Sequence, residues 1–287
     1  MGSSLESTTP ALEAVGVSKS YGRGVQALTN VDARIEWGRI TALVGPNAAG
    51  KSTLIKTWVG FERPSAGRVF VGGIDPWAER GRALRLLAYL PQSPALFPEM
   101  SVEEHLNLAV HLRSAFSKSD AAGRLKQAAI PMGARVRDLS GGQRAQVALA
   151  VAVCSHARVL LLDEPLASLD PLARREFLDV LKEAVQTSGI AALLSSHVVS
   201  DIEYAADWLI VLGVGRKLLD MGLSETVARH HVVVNGDGDE RDAVARLPGN
   251  AGLLVRSAKE GESIGRRPTL EEVVMGYLAS GRTEVYS

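Results

Sequence analysis

The stretch "RITALVGPNAAGKSTLIKTWVGF", residues 39–61, restricts this chain more than any other. A short apolar strand runs into a loop and then a helix. The loop fits G-x-x-x-x-G-K-[ST] at Gly45, Gly50, Lys51 and Ser52. In full it reads Gly45, Pro46, Asn47, Ala48, Ala49, Gly50, Lys51, Ser52, Thr53. Its glycines permit a tight turn whose N–H groups surround an anion, and the helix start adds a partial positive charge worth roughly 0.3 to 2 kcal/mol. Lys51 brings a full charge to the β- and γ-phosphates of a nucleotide, and Ser52 offers an oxygen to Mg²⁺. Ala48 stands where glycine is common in such loops. A positive φ there would cost an alanine of order 1 kcal/mol, and a negative φ would cost little.

Two further apolar runs end on chemistry. "RVLLLDEP" carries Asp163 and Glu164 at its end, and "IAALLSSH" carries His197. Both runs read as strands buried on both faces. Adjacent acids at the end of a buried strand need a cation to meet them. Asp163 is placed to hold Mg²⁺ through water, and Glu164 to polarise an attacking water, a role worth roughly 10²–10⁴-fold. His197 is placed to donate to the γ-phosphate or to hold Glu164 and the water. In an open parallel sheet the carboxyl ends of the strands share one crevice, so these three features converge. The remaining histidines, 105, 111, 156, 230 and 231, lack ligand-like companions and read as surface or packing residues.

Strands alternating with helices predict an α/β fold, a mostly parallel sheet with helices on both faces. "LEAVGVSKSY" and "VDARIEWGRI" predict a half-exposed antiparallel sheet, broken by a turn at Gly22–Gly24. Residues 1–10 are polar and expected to fray, and residues 11–229 form the main domain. Ser101 to Cys154 is helical in pattern, opened by a capping box at Ser101 and Glu104, and forms an inserted lobe at about 93–157. "PLARREFLDVLKEAVQTSG" and "VSDIEYAADWL" predict further helices. After His230 a small α+β extension, residues 230–287, is expected. Its "HVVVNG", "DERDAVARL", "GLLVRS" and "TLEEVVMGYLA" read strand, helix, strand, helix, with a second capping box at Thr269 and Glu272.

Charge is balanced at 32 against 32, which gives no reason to expect a nucleic-acid partner. The lone Cys154 rules out an internal disulfide and suits the cytosol. The start lacks the basic and apolar regions of a signal peptide. No apolar run approaches the roughly 18 to 20 residues that span a bilayer, so any spanning is left to a partner.

A second anion-binding signature stands at "LSGGQ", Leu139 to Gln143. Ser140, Gly141, Gly142 and Gln143 precede a long helical run, the arrangement that leaves the first N–H groups of a helix open to an anion. With this piece the sequence, over roughly Leu12 to Gly222, resembles the ATP-binding cassette (ABC) ATPases, the nucleotide-binding subunits of ABC transporters. "GPNAAGKST" is similar to the Walker A motif, "VLLLDEP" to Walker B and "LSGGQ" to the family's own signature. The resemblance implies an ABC-type P-loop core with ATP and Mg²⁺ as ligands. It implies that Tyr21 stacks on adenine, and that Gln92 of "YLPQ" contacts Mg²⁺ and links the lobe to the core. Asp170 of "SLD" resembles the D-loop, and His197 the switch histidine. It also implies that Ser140, Gly141 and Gly142 face the γ-phosphate held by a second subunit, identical or related, in a head-to-tail dimer.

Such a subunit works at the cytoplasmic face of a membrane with a separate permease. Leu96, Phe97, Pro98 and Met100 form an apolar patch that either receives that partner or packs inside the lobe. The short tail with "PTLEEVVMGYLASG" resembles exporter ATPases, so export of a drug, antibiotic, peptide or lipid is the expectation. The alternative is a single-cassette assembly factor of the iron–sulfur type.

Overall fold

Three runs without polar alternation, residues 40–44, 159–163 and 191–196, stand side by side at the centre of the chain. The computed structural model describes residues 9–22, 24–93, 95–234, 243–247, 251–257 and 265–286. β1 (Leu12–Tyr21) and β2 (Val25–Ile35) form the expected antiparallel pair. β2 starts six residues before the run that predicted it, because its first turn pairs with β1 up to Tyr21↔Val25. β3 (Ile40–Val44) leads through the phosphate loop into α1 (Lys51–Val59), which Gly60 ends in a left-handed cap. β4 (Ala66–Val71) completes the sheet β2-β1-β4. α2 (Arg80–Leu86) turns into β5 (Leu87–Leu90).

The inserted lobe holds α3 (Val102–Leu112), α4 (Lys118–Gln127) and α5 (Gly141–Val153). Ser101 and Glu104 form the expected reciprocal box at the start of α3. β6 (Val159–Asp163), α6 (Pro171–Ser188), β7 (Ala191–Ser196), α7 (Val199–Ala205), β8 (Trp208–Gly213) and β9 (Arg216–Gly222) follow. α7 is shorter than its pattern suggested, since Trp208 already pairs with Thr41 in the sheet.

The central sheet runs β5-β6-β7-β3-β8-β9, all parallel except β9. Alternate residues feed opposite layers. Leu43, Leu161 and Leu193 pack with α1 and the antiparallel sheet around the fully buried Trp58. Leu160, Leu162 and Leu194 pack beneath α5 and α6 around Leu149, Phe177 and Leu181. The lobe has its own core of Val102, Leu106, Phe116, Leu125 and Val147.

Beyond β9, α8 (Leu223–Ala228) precedes β10 (His230–Val233), β11 (Ala243–Arg246) and β12 (Leu253–Arg256), which form a separate antiparallel sheet, β10-β12-β11. α9 (Leu270–Tyr286) closes the chain. The helix expected at "DERDAVARL" is not formed where it is described. Ala243–Arg246 is a strand, drawn into register with Leu253–Val255, and residues 239–242 lie outside the described residues. Val273, Val274 and Tyr277 of α9 pack with Val44, Val211 and Leu219, so the closing segment covers the edge of the main sheet.

Candidate nucleotide site

The order β6-β7-β3 brings the three chemical strand ends together: Val44 lies opposite Ser196, and Asp163 opposite Ser195. Between β3 and α1 the loop is pressed against neighbours that tolerate no side chain. A Cβ on Gly45 would stand 2.3 Å from the Leu212 carbonyl oxygen, and one on Gly50 2.6 Å from that of Ala27. Gly50 also sits at φ +103°. Ala48 has φ +66°, so the loop does carry the alanine strain, of order 1 kcal/mol. The N–H groups of Asn47, Ala48, Gly50, Lys51, Ser52 and Thr53 find no acceptor among the described residues, which is the arrangement an anion completes.

Lys51 is buried. Its Nζ donates to the carbonyls of Gly45 (2.7 Å) and Pro46 (3.2 Å) and pairs with Glu164 Oε1 at 2.9 Å. The other Glu164 oxygen, Oε2, lies 2.8 Å from His197 Nδ1. Burial raises the Glu164 carboxyl, but the hydrogen bond and charge of Lys51, and then of His197, outweigh it and hold the group below the usual carboxylate range. An ionised carboxylate only accepts, so His197 donates through Nδ1. With its side chain 51% exposed, His197 stands between Glu164 and open solvent.

Asp163 gathers hydroxyls. Ser52 Oγ and Ser195 Oγ each donate to its Oδ1 at 3.0 Å. The Tyr89 phenol is pushed up to about 12 by burial and by the charge and hydrogen bonding of Asp163. Ser195 also accepts the Glu164 N–H at 2.8 Å. Sequence reasoning singled out neither residue. Ser195 hides in an apolar run. Tyr89 likewise owes its partner to the folded register: it stands opposite Leu161, and period two then sets it on the face of Asp163.

Ser52, Asp163, Lys51, Glu164 and His197 thus meet in one place. The other expected residues lie around it. Tyr21 ends β1, with the Lys19 ammonium 4.9 Å from its ring centre, on the hairpin whose Ala27 abuts Gly50. Gln92 is exposed after β5 and makes no hydrogen bond among the described residues. It lines a cleft of about 350 Å³ with Gly141, Arg144, Pro165 and Ser168. Asp170 caps α6, accepting from Leu172 and Ala173 N–H at 3.0 Å. Arg174 ties this turn to α7 by donating to the Leu169 carbonyl and pairing with Asp201 at 3.4 Å.

Ser140 and Gln143 form a reciprocal capping box at the start of α5, with bonds of 3.1 and 2.9 Å. The cap uses the Gln143 N–H and leaves those of Gly141 and Gly142 without an acceptor among the described residues. Gly142 also has a packing reason, since a Cβ there would meet Ala173 Cβ at 3.1 Å, whereas one on Gly141 would make only ordinary contact with the Ser168 carbonyl at 3.4 Å. No hydrogen bond joins this helix end to the phosphate loop among the described residues.

The apolar patch divides. Leu96 packs against both the α5–α6 layer and the lobe core. Phe97 is 56% exposed and stacks on His105 at 6.0 Å. Pro98 is exposed and Met100 half-buried.

Mg²⁺ fits the donor set. Ser52 and Asp163 present two hard oxygens on one side of the loop, and no group of three or more His, Cys, Asp or Glu side chains among the described residues forms a cage. One carboxylate plus phosphate oxygens is how Mg²⁺ is commonly held.

A buried lysine facing a buried glutamate across a loop of open amides is arranged to receive a triphosphate. Fold and site together define a P-loop nucleoside triphosphatase with a helical lobe inserted before its acidic strand. Residues 28–167 match the family model described as ABC transporter. The chain is 34% identical over 231 residues to the aliphatic sulfonates import ATP-binding protein SsuB 1 of Rhizobium johnstonii, covering 78% of this chain and 82% of that one. It is 32% identical over 224 residues to the Fe(3+) ions import ATP-binding protein FbpC of Photorhabdus laumondii, which covers 76% of this chain but only 63% of that protein's length. A solved ATP-binding subunit of an ABC transporter superposes with TM-score 0.67 at 28% identity, covering 75% of this chain and 91% of that one. The chain belongs to the ABC transporter family and is one of its ATPase cassettes.

The expectation of export is corrected by these relatives, which are named for import. Physically, the closing segment that prompted it is a helix packed on β8 and β9, a cover for the core. No helix among the described residues is long and apolar enough to cross a membrane.

Proposed function

We propose that this chain binds and hydrolyses ATP at the strand-end site to power solute import through a separate permease. The observation that supports it most is Glu164 held between Lys51 and His197. Lys51 and the loop N–H groups bind the phosphates, and Tyr21 stacks on the adenine. Ser52, Asp163 and Gln92 are the residues that would hold Mg²⁺. When bound, Mg²⁺ neutralises charge on the phosphate oxygens. As Lys51 turns to the γ-phosphate it releases Glu164 Oε1, which then accepts a proton from the attacking water. His197 keeps Oε2 in place.

Ser140, Gly141, Gly142 and Gln143 complete the site of a second cassette, beside Asp170. Their distance in bonding from the chain's own loop favours this. The groove of about 400 Å³ lined by Leu96, Phe97, Leu108 and Leu112 receives the permease at the cytoplasmic face. Named relatives in import systems favour transport over the assembly-factor alternative. The cargo differs between those relatives, and this chain does not choose it.

Vesicles carrying cassette and permease test the reading. ATP supplied on the cassette side should draw solute toward that side. Lys51→Ala should weaken ATP binding by about tenfold or more. Ser140→Arg should leave binding by the isolated chain within about twofold while stopping turnover. Solute moving the other way, or loss of ATP binding in isolated Ser140→Arg protein, would contradict it.

A further inference from the structure

We propose that Ser195 is a positioning residue for hydrolysis, fixing Glu164 and Asp163 relative to one another. The proposal rests on Glu164 as the proton acceptor. Ser195 is fully buried one residue before the end of β7, in the run Leu193, Leu194, Ser195, Ser196. An apolar or small residue satisfies such a position, and a hydroxyl there is costly unless both its functions are used. Here both are. The oxygen accepts the Glu164 N–H at 2.8 Å, and the hydroxyl proton goes to Asp163 Oδ1 at 3.0 Å. A carboxylate cannot donate and an N–H cannot accept, so the direction of the chain is fixed: Glu164 N–H to Ser195, Ser195 to Asp163.

The backbone shows why this is needed. Asp163 is in the strand, directly opposite Ser195, and the chain then swings to φ +49° at Glu164. A left-handed glutamate is strained by of order 1 kcal/mol or more and persists only where its surroundings hold it. Ser195 supplies the hold by accepting the Glu164 N–H. That swing aims the Glu164 carboxylate at both Lys51 and His197. Through Asp163 Oδ1, which Ser52 also engages, the same hydroxyl ties the acid pair to the phosphate loop.

Ser195→Ala and Ser195→Thr, measured beside Glu164→Gln, test it. Ser195→Ala should lower turnover by about tenfold or more, the scale of a lost hydrogen bond to a charged group. Its affinity for ATP without divalent metal, measured by calorimetry, should stay within about twofold. The tightening of ATP binding on adding Mg²⁺ should shrink several-fold, because Ser195 no longer holds the Asp163 carboxylate in place. Ser195→Thr keeps the hydroxyl and should recover most of the turnover and of the Mg²⁺ effect. Wild-type turnover in Ser195→Ala, with Glu164→Gln inactive, overturns the role of Ser195 alone. Metal-free ATP affinity falling in step with turnover and melting temperature, with no recovery in Ser195→Thr, reduces Ser195 to a structural part and overturns it too. Glu164→Gln turning over like wild type overturns both this proposal and the reading it rests on.

Discussion

Ala48 and Glu164 hold φ +66° and +49°, and both are non-glycine residues bordering the same site. Ala48 is exposed, so its methyl fills no place in the core. Ala48→Gly should therefore raise the unfolding free energy by about 0.5–1 kcal/mol, read as a higher denaturant midpoint at unchanged slope. A lower midpoint would show that the entropy of a glycine loop dominates there. Glu164 differs, since its conformation aims the carboxylate. At this scale the sequence was informative where spacing carries chemistry: Lys51, Ser52, Asp163, Glu164 and His197 meet as their positions after three strands implied. It was silent on Ser195, because a serine in an apolar run looks like any small core residue. Only the register Asp163↔Ser195 gives it partners, and register across β6 and β7 is a property of the folded sheet.

Elements marked by their own ends were legible. The boxes at Ser101 and Glu104, and at Thr269 and Glu272, formed as read, and Gly189 stops α6 in a left-handed cap. The misread element, at Ala243–Arg246, had no such mark and took its form from β12. The same module carries a pH-sensitive joint. His230 is buried, its Nδ1 2.6 Å from the Thr226 carbonyl and its Nε2 3.0 Å from the Tyr277 hydroxyl. Burial pushes this imidazole below its ordinary 6.5, more than the Thr226 bond raises it. The folded chain then binds fewer protons than the unfolded one. The contribution is complete above the unfolded value of 6.5 and is lost progressively as pH falls below it. Denaturant midpoints should fall between pH 7.5 and 5, and the fall should be smaller in His230→Gln. An equal fall in both proteins would place the proton elsewhere.

At the scale of the molecule, the strand order β5-β6-β7-β3 does the assembling: segments over 100 residues apart in sequence supply one phosphate site. Motif order along the chain disclosed the core, the lobe and the family, because the phosphate loop, the acid pair and the LSGGQ stretch each stand at the end of an element that their own residues mark. Direction of transport was not legible, since the tail that suggested it is a cover for β8 and β9. The central claim is that Lys51 holds Glu164 until a triphosphate draws the lysine away, freeing the carboxylate to accept the proton of water. Glu164→Gln removes the acceptor and keeps the shape, so its measurement beside wild type is the most direct test. ATP affinity should change by no more than about twofold while turnover falls roughly 10²–10⁴-fold. Turnover within about twofold of wild type, at equal ATP occupancy, would contradict the account.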